Sequence, residues 1–451
     1  MGTPLHNETD NAAQGREYTH PLQIGAFRAL LVVRVLTILA ATGMSLIIAW
    51  QAYNIARLTM EAPAAAAQLG LIGLIQFATL FVLTPFAGYA ADNYQRTRIG
   101  MVTLLVLCGC ACLLAVASYE GWIGLPLIFC LAAVFGACRA FQGPALGSLA
   151  PNIVPTALLP RAIAFSSMAW QAGGIIGPAV AGYAYAVEPH YAYVFSAVLL
   201  MMAVVAMFFV GRVPQAERDT SRNPIRQVID GLTYVRTNRI VFGAITLDLF
   251  AVLLAGTTAL LPVYARDILH VGSRGLGHLA AAPGIGAAVT ALWFSFRPLR
   301  HNVGPKMMAS VAIFGVATMA FGASAFLPQQ TAILVALAAM VVWGSADMFS
   351  VFVRQSLIQL HTPDEMRGRV SSVSMMTISA SNELGEAESG FLAALIGPVA
   401  AVILGGAGAI LVTVAWLRLF PELRQAKTFD VPNVHLRPSN DEPNRPKESL
   451  S

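Results

Sequence analysis

The chain carries twelve apolar runs, each about twenty residues or longer, separated by short polar or proline-bearing breaks. A run of that length spans a bilayer as an α-helix, because in hydrocarbon every backbone N–H and C=O must be satisfied inside its own segment. Membrane β-strands need runs of only about half that length. Composition agrees: 57% of the 451 residues are hydrophobic and 11% are charged, against about 25% charged in a soluble domain. That excludes a water-facing enzyme and also a disordered or fibrous chain. The N-terminus is polar to about Pro21 and lacks a charged-then-apolar leader with a cleavage site, so the first run is expected to remain as a span.

The expected spans are 27–52, 65–91, 99–118, 122–143, 160–187, 190–211, 240–265, 275–296, 305–327, 330–353, 370–397 and 399–420. They predict an N-terminal tail (1–26), a first six-helix bundle (27–211), a polar central loop (212–239), a second six-helix bundle (240–420) and a disordered tail (421–451) rich in Pro, Asn and Glu. Of 28 Lys and Arg, only Arg57, Arg266 and Arg274 fall in loops on one side, and Arg34 and Arg139 fall within spans. The others lie in the tails, at span ends or in loops on the opposite side, which places both termini in the cytoplasm. The formal net charge of +5 is thereby explained by topology, and no nucleic-acid partner is expected. Cys108, Cys110, Cys112, Cys130 and Cys138 all sit inside apolar runs and read as small core residues.

The two halves echo each other. After the fourth span comes Val154-Pro155-Thr156-Ala157-Leu158-Leu159-Pro160-Arg161, and after the tenth comes Thr362-Pro363-Asp364-Glu365-Met366-Arg367-Gly368-Arg369. Pro155 and Pro363 stand at the same offset as Arg161 and Arg369. In each pair the proline ends one helix and the arginine opens the next. Two such matches in equivalent loops point to a 6+6 duplication, the construction common in secondary transporters.

The loop between the second and third spans reads Gly88-Tyr89-Ala90-Ala91-Asp92-Asn93-Tyr94-Gln95-Arg96-Thr97-Arg98. It resembles the signature loop of the major facilitator superfamily at Gly88, Asp92, Arg96 and Arg98; Asn93 stands where a basic residue is usual. The fifth span carries Gly173-Gly174-Ile175-Ile176-Gly177-Pro178-Ala179-Val180-Ala181-Gly182, which is similar to that family's antiporter motif at Gly173, Gly177, Pro178 and Gly182, with Ala181 replacing a glycine. The runs Leu149 to Pro155, Asp364 to Arg369 and Asn382 to Gly390 resemble the branch that contains bacterial enterobactin exporters and drug-efflux carriers. The resemblance implies an all-α membrane protein of the bacterial inner membrane, twelve transmembrane helices in two pseudo-symmetric bundles, and export. Gly88 would permit close helix approach, and Asp92 with the arginines would latch the cytoplasmic side. The plainer reading of those charges is orientation anchoring, and of the fifth-span glycines a general packing face.

Ionisable groups inside spans cost about 2.5–3.5 kcal/mol each unless paired or wet, so each is a functional candidate. A carboxyl withdrawn from water can load and release a proton near neutral pH. The proton-coupling candidates are Glu386 with Glu383, then Asp347 and Asp248; Glu383 and Glu386 share one helix face. The competing reading for each is a static interhelical ion pair with Arg139 or Arg34. Arg139 reads as a structural pair or latch partner, and Arg34, near a span end, as a snorkelling residue. Trp50, Gln51, Tyr53, Gln76, Trp170 and Gln171 are candidates for a central cavity, and Tyr119 and Trp122 for interfacial anchors.

There is no phosphate-binding Gly-Lys-Ser/Thr loop, no one-helix zinc pair and no catalytic set, so neither an enzyme, a cofactor nor a metal is expected. The expected protein is a monomeric secondary transporter in the lipid bilayer. It moves a small amphiphilic molecule, a drug or siderophore, outward against protons. An importer of a polar nutrient and a non-transporting protein such as a lipid scramblase are the rivals.

Overall fold

A computed structural model describes residues 18–147, 149–211, 213, 224–297, 299 and 301–428, and for Asp92, Thr156, Asp364 and residues 224–228 it describes the backbone alone. Of the tail expected to be disordered from 421, residues 421–428 are ordered, with a short helix Pro421–Gln425 whose Leu423 is buried, and the residues that follow it bond to Asn302 and Gly304. The remainder of the tail, the first 17 residues and the stretch 214–223 lie outside the described residues.

The apolar runs become long helices: α1 Gly25–Ala56, α2 Ala62–Asn93, α3 Arg96–Tyr119, α4 Leu125–Gly147, α5 Leu159–Val187 and α6 Pro189–Val210. After the polar link come α7 Pro224–Thr237, α8 Arg239–Leu254, α9 Gly272–Phe296, α10 Val303–Ala323, α11 Gln329–Leu360, α12 Asp364–Ile396 and α13 Pro398–Leu419. Prolines sit in the first turn of α2, α5, α6 and α13, where no donor is lost. Asn238 caps α8 by accepting from the Val241 N–H at 3.1 Å.

Each expected span falls largely on one of these helices except 240–265, where α8 ends at Leu254 and a 3-10 turn, Thr257–Leu260, and a π turn, Tyr264–Ile268, carry the chain on. Among the described residues, ten helical segments are long and apolar enough to cross a membrane: α1–α4, α6, α8 with the turns through Ile268, α9, α10, α11 and α13. The helices α5 and α12 are as long, at 29 and 33 residues, and more polar. Within the spans, threonine hydroxyls return to the carbonyl four residues back, as Thr79 does to Ile75 at 2.8 Å and Thr318 to Phe314 at 2.9 Å. With no water in hydrocarbon, that is where such a donor is satisfied. Large apolar side chains on the outward faces, such as Phe209, Leu334 and Leu411, are exposed, as lipid-facing residues must be.

The central loop holds more structure than its polarity suggested. The helix α7 is amphipathic and docks on the start of α12: Tyr234 donates to the His361 carbonyl at 2.6 Å, and Asp230 pairs with Arg369 at 3.2 Å. Its counterpart in the first half is simpler. Arg161, at the start of α5, donates to the Thr19 carbonyl at 3.1 Å. The two repeat arginines thus do equivalent work, each tying the fifth long helix of its half to the segment that leads into the first.

Helix α1 packs on α5 and α6, α2 on α4, α3 on α6, α9 on α11, and α10 on α11 and α13. Two further broad contacts, α2 with α12 and α5 with α9, join the early helices to the late ones. They depend on glycine. A Cβ at Gly182 would lie 2.5 Å from the Ser273 carbonyl oxygen, and one at Gly70 would lie 2.8 Å from that of Ala387. Gly177 does the same within the early helices: a Cβ there would meet the Leu39 oxygen at 2.7 Å.

Candidate functional site: a cleft closed at one end

Several helices carry one face that is buried toward the end remote from the termini and bare toward the terminal end. On α5 the face runs Ile163, Ser167, Trp170, Gly174 and Ala181; Ile163 and Trp170 are 54% and 65% exposed, whereas Ala181 is 1% exposed. On α4, Gly147, Gly143 and Arg139 are exposed and their continuation, Gly136 and Ala132, is buried. On α12, Met375 and Asn382 are exposed while Ser389 and Ala393 are buried. At the end remote from the termini the early and late helices close on each other, with Gly182 of α5 against Ser273 of α9, and toward the terminal end these faces are bare.

The closed end carries a polar clamp. Tyr53, in the last turn of α1, donates to Asp267 at 2.5 Å, and Arg57 pairs with the same carboxylate at 2.9 Å. Arg266 in turn donates to the Asn54 side chain at 2.7 Å. Arg266 and Asp267 sit in a π-helical turn, Tyr264–Ile268, that follows α8. Three residues of the early half, Tyr53, Asn54 and Arg57, thus grip two of the late half, Arg266 and Asp267.

At the inner limit of the closed zone, Arg139 of α4 forms an ion pair with Glu383 of α12. The pair spans the two halves. Glu383 is buried at 3% exposure, and the Arg139 side chain is 46% exposed on the cleft side. One Glu383 oxygen is buried without a partner. Glu386 lies one turn away, against α2, where a Cβ at Gly73 would approach its Cβ at 3.1 Å; among the described residues no hydrogen bond or ion pair reaches it. One arginine therefore faces two carboxyls.

The other acids are elsewhere. Asp248 of α8 forms an ion pair with Arg354 of α11, and both are buried, at 7% and 2% exposure. Asp347 stands near them on α11. The expected pairing of Asp248 or Asp347 with Arg139 or Arg34 does not occur. Arg354 falls just past the expected span 330–353, but α11 continues to Leu360 and Arg354 is buried. Arg34 does not simply snorkel, since its guanidinium donates to the Leu146 carbonyl of α4 at 2.9 Å.

The cavity candidates divide. Trp170 is bare on the cleft face. Gln171 is partly buried, with an unpartnered amide nitrogen, and the backbone of Gln76 packs against Gly136. Trp50 and Gln51 are not cleft residues: both are 6% exposed, and Gln51 accepts from Tyr193 at 2.5 Å and donates to Ser118 at 3.3 Å inside the first helix set. Tyr53 belongs to the clamp. In the loop motif, Gly88 has no atom within 4 Å of a would-be Cβ, so no helix approaches it in this state. Arg96 turns back to the Ala91 carbonyl at 3.4 Å and Arg98 is exposed; the Asp92 side chain lies outside the described residues. In the fifth-span motif, Gly173 and Gly177 pack on α1, and Pro178 and Gly182 pack on α9.

The Major Facilitator Superfamily model matches residues 24–386. The chain belongs to the major facilitator superfamily. Among curated relatives, the enterobactin exporter EntS of Salmonella choleraesuis (strain SC-B67) is 24% identical over 409 residues, covering 90% of this chain and 94% of the relative. The same exporter from Escherichia coli O6:K15:H31 is 24% identical over 412 residues, with the same coverage. Among solved structures, a D-xylose–proton symporter aligns with TM-score 0.66 at 12% identity, covering 90% of this chain and 98% of that one. A bacterial homologue of the iron transporter ferroportin in an inward-facing state aligns with TM-score 0.66 at 15% identity, covering 89% and 98%. At such identities the structures establish the fold. This is a multi-pass bacterial inner-membrane protein, a secondary transporter of small molecules and not an enzyme.

Proposed function

We propose that this transporter exports amphiphilic small molecules from the cytoplasm in exchange for protons, by rocking two six-helix bundles about a midplane site. In this reading the bundles are 27–211 and 240–420, α5 and α12 cross the membrane with the other ten, both termini are cytoplasmic, and the monomer is the working unit. The observation that carries it is the Arg139–Glu383 pair across the halves beside the unpartnered Glu386. The halves cannot separate at this level without breaking that pair. A proton on Glu383 or Glu386 lowers the cost of the break, and a substrate bound near Arg139 can replace the lost partner. This links proton occupancy to the direction in which the cleft opens.

The cleft wall supports an amphiphilic cargo. Trp170 and Met375 offer exposed apolar or soft surface, with Asn382 and Arg139 as polar contacts. Export is supported by the Gly-Pro motif on α5 and by the exporters among the relatives.

The test is transport in liposomes with an imposed pH gradient. Wild-type protein should drive saturable efflux that an uncoupler abolishes. Glu386→Gln should lose gradient-driven efflux and still fold. Wild-type efflux from that variant removes Glu386 as the coupling group, and flux indifferent to every ion gradient removes the transport reading itself.

A further inference from the structure

A second buried charge centre lies within the late helices, away from the cleft. Asp248 on α8 and Arg354 on α11 neutralise each other. Asp347, two turns before Arg354 on the same face of α11, has no ion pair or hydrogen bond among the described residues. The three charges sum to minus one in a setting otherwise made of Ala251, Val252, Val311, Phe314 and Ala346. An isolated carboxylate does not persist in such surroundings without a compensating charge.

Two observations say what compensates it. A pocket of about 10 Å³ opens between Asp248, Asp347 and Ser350, room for one water or one small desolvated ion. Ser350, only 5% exposed, lines that pocket and its hydroxyl makes no hydrogen bond among the described residues, unlike Ser356 and Thr246 nearby, which return to their own helices. A proton on Asp347 would need no such space and no third oxygen. We infer that Asp248, Asp347 and Ser350 form a binding site for a monovalent cation of sodium size inside the second helix set.

The charge balance favours a monovalent ion, since a divalent one would leave an excess positive charge. A calcium ion would also want 6–8 oxygens, and three side chains here supply too few. Because Asp248 reaches from α8 and the other two ligands from α11, a bound ion crosslinks those helices. Binding to the folded state alone must then raise its stability with ion concentration. This inference stands apart from the export reading.

The experiment follows thermal unfolding of the purified full-length protein at alkaline pH as sodium replaces choline at constant ionic strength. The unfolding temperature should rise saturably with sodium. Asp347→Asn should abolish the rise, Ser350→Ala should shift its midpoint to higher sodium, and Glu386→Gln should leave it intact. Should Asp347→Asn fail to fold, radiolabelled-sodium binding to wild type and to Ser350→Ala decides. No saturable sodium effect in wild type, an equal effect of choline, or a full response in Asp347→Asn overturns the site. A pocket holding only water gives the first of these results.

Discussion

Two centres in this protein each hold one arginine and two carboxyls, and they sit in opposite surroundings. Arg139, Glu383 and Glu386 lie where the halves meet, with the arginine half open to the cleft. Arg354, Asp248 and Asp347 lie within the late helices, with the arginine at 2% exposure. The first centre must be remade whenever the halves move. The second rides inside one packed set and keeps its partners. In the proposed mechanism the same three charges give a switch in one place and a fixed crosslink in the other, and burial is what divides them.

The sharpest way to break that comparison is to remove one acid from each centre. Asp248→Ala leaves Arg354 buried and unpaired, which should cost about 3–5 kcal/mol. The measurement is the yield of monodisperse protein and its unfolding temperature. Replacing both partners with apolar residues, Asp248→Leu with Arg354→Met, should recover much of the loss. Glu383→Gln frees an arginine that can turn to water, and should cost about 1 kcal/mol or less. Equal losses at the two centres would mean that the cleft does not wet Arg139.

These contrasts mark what the sequence could and could not display. The apolar runs, their proline breaks and the paired arginines Arg161 and Arg369 are local patterns, and each emerges as a helix or a helix-start tether. The acids inside spans are equally visible, because any charge in such a run stands out. Their partners are not visible. Arg354 lies one residue beyond the expected end of its span, and only the further two turns of α11 make it a buried residue. Gln51 has the polarity of a cavity residue, but Tyr193, 142 positions away, satisfies it within the early helices. The clamp has the same cause: Arg57 and Asp267 belong to different halves, and nothing local announces that they meet.

That clamp supplies the next test, smaller in size. Asp267→Asn weakens the links to both Tyr53, which is fully buried, and Arg57; Arg57 and Asp267 are each about a quarter exposed, so that pair is partly screened. A loss of about 1 kcal/mol from the closed end corresponds to about a fivefold rise in the population open there. Alkylation of a cysteine placed at Ser273, which is buried against Gly182 of α5 at the closed end, should speed up by that factor in a background lacking the native cysteines. An unchanged rate would show that glycine packing alone holds the end shut.

The smallest effect on stability is expected at Gly88, and it discriminates between the two ends of the molecule. In this state a Cβ at Gly88 meets nothing, whereas one at Gly182 meets the backbone of α9. Gly88→Ala should therefore leave the unfolding temperature unchanged or raise it slightly, since alanine favours a helix over glycine by about 0.5–1 kcal/mol. Gly182→Ala should lower it and open the closed end. If the terminal ends come together in the opposite state, α2 must then meet a neighbour at Gly88, and the added methyl will obstruct that approach. Gly88→Ala should accordingly slow turnover while shifting cysteine accessibility toward the state described here, the reverse of Gly182→Ala. Transport at the wild-type rate would show that closure of the terminal end does not pass through Gly88, and would leave its loop with orientation as its sole task.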